Sequence, residues 1–560
     1  MQSIALLLLL SLALVLAQPP VIVKTIYGEV QGEEIDGVQV FRSIPFAAAP
    51  EKELRFAPPQ PPQPWSTVKD VRPYATPCPQ MKLLGPLLYG GEDCLQLSVY
   101  APPATASLRP VLYWIYGGAY VVGDSEELGW YDGKNLVKSH PEMLVVAVNY
   151  RLGPLGFMAL PGLEGSGSAA LLDQVAGLEW VRDNIAAFGG DPAQVTIAGE
   201  SAGSFSVAWH LASPRSAGLF HAAILESSSF DTVQFFQPLA EAVAFNSLYS
   251  TAIGCPPDPS APPGTDTAQL ACMRALPVDK VLLALEEALN PDWPCVTPGR
   301  CPPALAAAAQ HLGSRAGRTL PALAPLMPWG PAVGSPLLPD LPLALVRSGN
   351  FNKVPILIGT NKNEGSIFIP VFPLISPGTD FPPRLSDIPN FVEHAYNTYD
   401  AALVRNLTAA LITPAYSLAA YNNDTWAMSS DVLRDAFFAC ATRRAARALS
   451  APGRAPSVHL YEFSYHLQWP EVVDLPVLGN YHTSELDFVF GNDWPEFIHV
   501  RGGGQGGVLG AQATSQATHM HHIHTHSHST LNTHTHRART FLQTTCLSAA
   551  AFRPTGPTLW

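Results

Sequence analysis

Ser201 is the residue whose surroundings most clearly predict chemistry. It lies in Gly199-Glu-Ser-Ala-Gly203, directly after the apolar run 195–198 and before a helix predicted over residues 204–211. A serine in a G-x-S-x-G segment between a strand and a helix occupies a sharp turn, which the two glycines permit. Its hydroxyl then projects above the sheet edge, and the N-terminus of the following helix favours developing negative charge. The segment therefore predicts a nucleophilic serine.

A second glycine-rich segment, Tyr116-Gly-Gly-Ala-Tyr120, follows the apolar run 111–115. Glycines after a strand can turn backbone N–H groups toward one point, which is what an oxyanion requires. An ordinary Gly-Gly turn is the alternative interpretation. Together with the serine motif downstream, the oxyanion interpretation is favoured.

The elements that must position these motifs alternate along the chain. From about Val21 to Gly491, short apolar runs alternate with amphipathic stretches, a pattern typical of an α/β domain. We predict buried strands where the apolar runs are continuous, and helices where apolar residues recur at helical spacing. The predicted strands are 111–115, 144–148, 195–198 and 355–359, and the predicted helices are 173–185 and 204–211.

Four longer segments resemble the type-B carboxylesterases, the cholinesterase-like branch of the α/β-hydrolases. They are Glu92–Tyr100, Asn149–Phe157, Phe188–Gly203 and Ser213–Ser227, within a resemblance that extends from about Val23 to Gly491. The resemblance implies the α/β-hydrolase fold, a central, mostly parallel sheet flanked by helices in one large domain. It also implies a serine esterase that hydrolyses small-molecule carboxylic esters through an acyl-enzyme on Ser201. We expect no cofactor and no metal ion.

The resemblance assigns two partners to the serine. Glu364, in the segment 361–368, matches the acid of the family, and His482, in the segment 481–491, matches its base. His482 would take the proton of Ser201 and later protonate the leaving alcohol, while Glu364 would hold the imidazole in one tautomer. The order serine, glutamate, histidine along the chain is that of this fold.

Further residues are assigned by the same resemblance. The oxyanion hole would be formed by the backbone N–H groups of Gly118, Ala119 and Ala202. The implied pairs are the disulfides Cys78–Cys94 and Cys255–Cys272 and the ion pairs Arg151–Asp173 and Arg42–Glu92. The cysteines left without an assigned partner are Cys295, Cys301, Cys440 and Cys546.

The first disulfide loop indicates the kind of ester. Cholinesterases bind a quaternary ammonium group on a tryptophan within this loop. Here the segment 78–94 contains no tryptophan and has Tyr89 as its aromatic residue. We therefore expect a general or lipophilic carboxylic ester rather than a choline ester.

Several features predict export. Residues 1–17 form an apolar run that ends at Ala17 and is too short to span the ~30 Å hydrocarbon core, which is typical of a signal peptide. No later stretch approaches the roughly 20 uninterrupted apolar residues of a spanning helix, so we expect no transmembrane anchor. Eight cysteines and the glycosylation sequons at Asn406 and Asn423 fit a secreted protein.

The charge of the chain excludes one class of partner. The sequence has 32 Lys and Arg against 45 Asp and Glu, a formal charge of −13. Nothing concentrates basic residues into a stripe that could neutralise phosphates, so we expect no nucleic-acid binding. The sequence does not indicate an oligomeric state.

The end of the chain departs from the family. Eight of the 17 histidines fall between His519 and His536, in a region rich in Gly, Thr and Ser. Such a tract could bind zinc or nickel, but His-Thr alternation is also what a CA dinucleotide repeat encodes, and we favour this second interpretation. We thus divide the chain into a signal peptide (1–17), an esterase domain (18–491) and a non-family tail (492–560) that we expect to be disordered.

Two alternatives to an active esterase stay open. One is a non-catalytic, cholinesterase-like adhesion or binding protein, a class that usually loses the serine. The other is an inactive, truncated esterase, because the tail replaces the helices with which relatives continue.

Overall fold

A mixed sheet of eleven strands organises the part of the chain that the structure describes. The computed structural model describes residues 20–81, 88–230, 235–258, 260, 267–282, 327, 329–371, 416, 418–465 and 478–492. The predicted signal peptide, the sequon at Asn406 and the tail beyond residue 492 lie outside the described residues, as do Cys295, Cys301 and Cys546.

The strands are numbered in chain order. They are β1 (Val21–Lys24), β2 (Glu29–Ile35), β3 (Val38–Pro45), β4 (Lys69–Asp70), β5 (Gln80–Met81), β6 (Leu88–Tyr89), β7 (Gln96–Ala101), β8 (Arg109–Ile115), β9 (Leu144–Val148), β10 (Gly190–Glu200), β11 (Ala222–Glu226), β12 (Gln237–Pro238), β13 (Ala332–Val333), β14 (Ile356–Asn361) and β15 (Val458–Phe463). The large sheet has the order β1-β2-β3-β7-β9-β8-β10-β11-β14-β15, with β4 beside β2, while β5–β6 and β12–β13 form two small sheets.

The helices of the described residues are also numbered in chain order. They are α1 (Lys134–Ser139), α2 (Gly153–Phe157), α3 (Ala169–Asn184), α4 (Ala202–Ala212), α5 (Leu239–Ala252), α6 (Thr267–Ala275), α7 (Pro342–Ser348), α8 (Thr425–Arg434), α9 (Cys440–Leu449) and α10 (Leu486–Phe490). A π-helical turn, Asp435–Ala439, joins α8 to α9.

The sheet has an antiparallel and a parallel part. Strands β1, β2, β3, β7 and β9 pair antiparallel, whereas β9, β8, β10, β11, β14 and β15 pair parallel. All five residues of β9 are buried, because its continuous run of apolar, largely β-branched side chains is covered on both faces. The predicted α/β-hydrolase sheet is thus present, and the site lies at its parallel part.

The predicted elements are present with shifted ends. The predicted strand 195–198 lies within β10, and the predicted helices 173–185 and 204–211 correspond to α3 and α4. Pro355 lies just before β14 rather than within it, since a proline has no N–H to give to the ladder.

One of the two predicted ion pairs is confirmed and the other is wrong. Arg151 and Asp173 are fully buried and bonded through two guanidinium nitrogens at 2.8 and 2.7 Å. Arg42 instead reaches Glu33, because β3 and β2 are hydrogen-bonded neighbours, and their N–O distance is 2.6 Å. Glu92 accepts both of its 2.6 Å hydrogen bonds from Arg55.

Two disulfides join described cysteines. They are Cys78–Cys94 and Cys255–Cys272, the two pairs that the resemblance implied. In the residues that the structure describes, no helix is both long enough and apolar enough to span a bilayer.

Candidate active site

Ser201 occupies the turn between β10 and α4. Its backbone has φ 54° and ψ −122°, a conformation that is strained for a residue with a side chain. The Ser201 N–H donates to the Glu226 carbonyl oxygen at 3.1 Å, which fixes the turn against β11. The Ser201 side chain is half-buried, so its hydroxyl is accessible to a substrate.

The two glycines of the motif are required by close packing. A Cβ at Gly203 would overlap the carbonyl oxygen of Ile115, the last residue of β8. A Cβ at Gly199 would lie 2.6 Å from the Gly203 carbonyl carbon and 2.7 Å from the same Ile115 oxygen. The helix therefore starts so close to the neighbouring strand that only glycine fits at either position.

The glycine-rich segment after β8 lies directly beside this turn. A Cβ at Gly117 would be 2.8 Å from Glu200 Oε2 and 3.2 Å from Ser201 Cβ. Gly118 and Ala119 follow with φ 98° and 55°, left-handed conformations that redirect the chain. Within the described part of the chain, no hydrogen bond engages the N–H groups of Gly118, Ala119 or Ala202. They are free to bind an oxyanion.

Glu364 and His482 form a buried pair. Glu364 is 0% and His482 4% exposed, and His482 Nδ1 lies 2.6 Å from Glu364 Oε2, a distance at which an Nδ1–H donates to the carboxylate. The second oxygen of Glu364 accepts from the Ser227 hydroxyl at 2.6 Å and from the Asn361 N–H at 2.7 Å. Three donors thus compensate the charge of this carboxylate.

Polar contacts tie the loop of Glu364 to the loop of His482. Asn361 donates from its side-chain amide to the Tyr481 carbonyl oxygen at 2.8 Å. Asn363 and Asn480 exchange two hydrogen bonds, at 3.0 and 3.1 Å. Thr483, next to His482, has φ 81°, a rare conformation for a β-branched residue. The position of the imidazole is therefore set by loop contacts across the strand ends.

The other ring nitrogen of His482 faces a carboxylate. Nε2 lies 3.1 Å from Glu200 Oε1, but the geometry is not that of a hydrogen bond, and both atoms lack a hydrogen-bond partner. No hydrogen bond joins His482 to the Ser201 hydroxyl within the described residues. Catalytic hydrogen bonds are often long or misaligned before substrate binds.

Aromatic rings connect the serine helix to the histidine. Phe205, one turn after Ser201, stacks on Phe235 with ring centres 4.2 Å apart, and Phe235 lies 6.4 Å from Phe438. The ring centre of Phe438 is 4.6 Å and that of Phe368 is 5.2 Å from His482. These rings form an apolar wall on one side of the imidazole, in which Phe205, Phe235 and Phe438 are buried.

Sequence reasoning missed several residues of the site. Glu226 and Ser227 lie at the end of β11, Asn361 lies at the end of β14, and Glu485 follows His482 by three residues. Glu200, Glu226 and Glu485 are buried, and burial raises the pKa of Glu226 to about 8. An acidic residue that ends an otherwise apolar strand, as in Glu200 and Glu226, is the signal that could have drawn attention to them.

The other predicted residues lie apart from the serine. Asn423 is exposed in a turn before α8, with φ 65°, where an attached glycan would have room. In the described residues, no group of three His, Cys, Asp or Glu side chains is arranged to hold a metal ion. The chemistry available is that of a serine, an imidazole, carboxylates and free backbone N–H groups.

Comparisons with known proteins agree with this arrangement. A family model described as "Carboxylesterase family" matches residues 19–497. The para-nitrobenzyl esterase of Bacillus subtilis (strain 168) is 32% identical over 478 residues, which cover 84% of this chain and 83% of that protein. The acetylcholinesterase of Electrophorus electricus is 35% identical over 385 residues, 64% of this chain and 53% of that protein.

Solved esterase structures are also similar to this chain. A PNB esterase structure superposes with a TM-score of 0.62 at 30% identity, covering 84% of this chain and 83% of its own. A thermophilic PNB esterase also gives 0.62 at 30% identity, covering 84% of each chain.

Proposed function

The chain belongs to the carboxylesterase family and is a carboxylic ester hydrolase, and we propose that it is a secreted serine esterase whose acyl-enzyme forms on Ser201. The observation that carries the proposal is the strained Ser201 turn beside free backbone N–H groups, with the buried Glu364–His482 pair at the neighbouring strand ends. Ser201, Glu364 and His482 have the roles of nucleophile, orienting acid and general base.

The proposed reaction follows from these positions. His482 Nε2 turns from Glu200 to the Ser201 hydroxyl and takes its proton while the oxygen attacks the ester carbonyl. The N–H groups of Gly118, Ala119 and Ala202 bind the negative oxygen of the tetrahedral intermediate. His482 then protonates the leaving alcohol, and a water molecule releases the acid by the reverse sequence.

We infer the substrate class from the side chains that lie near His482. The wall formed by Phe205, Phe235, Phe368 and Phe438 is apolar, so it favours an ester with an apolar acyl or alcohol group. We propose a general or lipophilic small-molecule carboxylic ester as substrate, and not a choline ester, because the loop between Cys78 and Cys94 has no tryptophan.

The remaining proposals concern organisation and location. We propose that residues 1–17 are a signal peptide, that residues 18–491 form the esterase domain, and that residues 492–560 are a disordered tail. Two disulfides support export, since such bonds persist in oxidising compartments. Asn423, which is exposed, and Asn406, which lies outside the described residues, are the proposed glycosylation sites.

A serine substitution tests the proposal. We expect Ser201→Ala to lower kcat for p-nitrophenyl butyrate by about 10⁶-fold, equivalent to roughly 8 kcal/mol of barrier. Ser204→Ala is the matched control, because this buried hydroxyl of the same helix has no hydrogen-bond partner. Equal rates for wild type and Ser201→Ala would overturn the proposal, as would a failure of wild type to react with a fluorophosphonate probe.

A further inference from the structure

Four carboxyl groups share one buried space with His482. Glu200, Glu226, Glu364 and Glu485, here called the carboxyl cluster, are each at most 5% exposed. Within the described residues, no Lys or Arg forms an ion pair with any of them, and His482 is the group that could carry a compensating positive charge. Four buried negative charges against one imidazole would be very costly, so some members must be neutral acids.

The hydrogen bonds indicate which members are neutral. Glu364 accepts from three donors, as described above, and Glu485 accepts from the Asn361 amide on one oxygen only. In contrast, Glu200 Oε1 and Glu226 Oε2 accept no hydrogen bond. A buried carboxylate without donors is destabilised relative to its protonated form. Glu200 and Glu226, which lack the donor that Glu485 has, are therefore the members of the carboxyl cluster that most favour the neutral form.

The sheet register places these two side chains together. Glu200 and Glu226 are partners at the ends of the adjacent parallel strands β10 and β11, so both side chains point to the same face. Glu226 also holds the nucleophile through its carbonyl oxygen, which accepts the Ser201 N–H at 3.1 Å. Glu226 thus touches the catalytic turn through its backbone and faces Glu200 through its side chain.

The remaining neighbours enclose Glu226. The next partner in the register is Gly359 on β14, which has no side chain, and the ring of Tyr461 on β15 covers that position. Burial, with the charges of Glu226, Glu485, Glu364 and Glu200 as further causes, raises the pKa of Tyr461 well above its usual value. Tyr461 is therefore a neutral phenol and adds no negative charge.

Burial also raises the pKa of two further members of the cluster, Glu200 and Glu485. Burial, and then the charges of Glu364 and Glu226, raises the pKa of Glu200 well above its usual range. Burial, and then the charges of Glu200, Glu226 and Glu364, does the same to the pKa of Glu485.

We propose that Glu226 is a positioning residue for the ester hydrolysis, an inference that rests on the function proposed above. The Glu226 carboxylic acid shares one proton with Glu200 and so reduces the negative charge that Glu200 presents to His482 Nε2. When alkaline solution removes this proton, a second charge appears beside the imidazole. The dependence of kcat/KM on pH then contains an alkaline inflection that belongs to this pair.

The pH profile of kcat/KM for p-nitrophenyl acetate, from about pH 5 to about pH 9.5, tests the proposal. In Glu226→Gln the side-chain amide can donate a hydrogen bond to Glu200 and so stabilises its charged form, and the alkaline inflection disappears. The acidic limb moves to higher pH by about half a unit, roughly a threefold loss on that limb. Glu226→Asp keeps a shorter acid, so its inflection remains but moves. Glu126→Gln removes an equally buried acid that Ser98 and Tyr100 hold elsewhere, and its profile matches wild type.

Two outcomes overturn the proposal: profiles of Glu226→Gln that coincide with wild type, or an unmoved inflection in Glu226→Asp. Infrared spectra provide a readout that does not need activity. Wild type and Glu126→Gln should lose a protonated-carboxyl band on alkalinisation that is missing from Glu226→Gln, and a band unaffected by Glu226→Gln contradicts the shared proton. A wild type with this band but no esterase activity would instead overturn the proposed function alone.

Discussion

Ser201 lies at the end of a strand in the middle of the sheet, whereas His482 lies in a loop beside β15, which has one strand neighbour in the described residues. The serine turn is enclosed by backbone: β8 and β11 flank β10, and no room exists for a Cβ at Gly199 or Gly203. The histidine loop is held by side chains, through the hydrogen bonds of Asn361 and Asn363.

Because of this difference, the two regions should respond differently to substitutions. Backbone packing in a sheet interior cannot be disturbed without disturbing the fold, because interiors are close-packed. Side-chain hydrogen bonds at a sheet edge can be removed one at a time. We therefore expect changes around Ser201 to lower stability, and changes around His482 to lower activity at nearly unchanged stability.

The largest expected effect on stability is that of Gly203→Ala. The new Cβ would overlap the Ile115 carbonyl oxygen, which belongs to the buried strand β8 and cannot move away. We expect a loss above about 4 kcal/mol in the free energy of unfolding, or no folded protein. Gly91→Ala is the matched control, since its Cβ would meet only Thr76 Cγ2 at 3.4 Å. A cooperative melt of Gly203→Ala at the wild-type temperature would contradict this view of the serine region.

The second-largest expected loss of stability is that of Arg151→Met. It leaves the fully buried Asp173 carboxylate without its partner, a change that costs about 4 kcal/mol in the free energy of unfolding. Denaturant unfolding measures this loss. Arg182→Met removes a half-exposed partner of Asp183 and should leave the midpoint nearly unchanged. If both variants lower the denaturation midpoint equally, the buried ion pair does not contribute more to stability than the exposed one.

Ser227→Ala probes the histidine side. It removes the 2.6 Å hydrogen bond to Glu364 Oε1, one of the contacts that hold this carboxylate against His482. We expect kcat to fall about 10- to 100-fold while the melting temperature changes little. Ser228→Ala, whose buried hydroxyl has no partner, is the control. A large loss of stability at unchanged kcat would reverse the comparison.

The carboxyl cluster makes stability depend on pH with a definite sign. Burial raises the pKa of Glu226 from its usual 4.5 to about 8, so the folded chain keeps a proton that the unfolded chain has lost. The free energy of unfolding therefore falls as pH rises from about 4.5 to about 8. Melting curves should show a smaller loss between about pH 5 and about pH 8 for Glu226→Gln than for wild type, and equal losses would contradict this.

The smallest expected effect is at the sheet edge. Leu460 on β15 is 43% exposed, whereas its register partner Ile358 on β14 is buried. Surface substitutions of this kind usually change stability by less than about 0.5 kcal/mol. Leu460→Lys should thus retain both the wild-type melting temperature and kcat/KM. A loss above about 1 kcal/mol would show that this edge is held as firmly as the serine region.

The sequence predicted the serine region better than its surroundings, and the reason is physical. The strands at 111–115 and 195–198 and the serine turn are encoded by contiguous residues, so local patterns suffice. Glu364 and His482 were assigned by resemblance, since no local rule brings residues 118 positions apart together. Glu226 joins the site through its strand register with Glu200, and Phe438 through packing against His482. The wrong pairing of Arg42 with Glu92 has the same origin, because partner choice depends on which strands become neighbours.

The pairing of β11 with β14 fixes the site residues at these strand ends, whatever the length of the segment that connects the two strands. Glu226 and Gly359 are direct partners, although residues 227–355 connect the two strands. The described part of this connection contains α5, α6 and α7, and lengthening an exposed loop between such helices costs only about 0.6 kcal/mol for each doubling of its length. Loops between these helices can therefore be lengthened while Ser227, Asn361 and Glu364 keep their places. Libraries that vary this insert would change which esters enter without rebuilding the proton-transfer machinery.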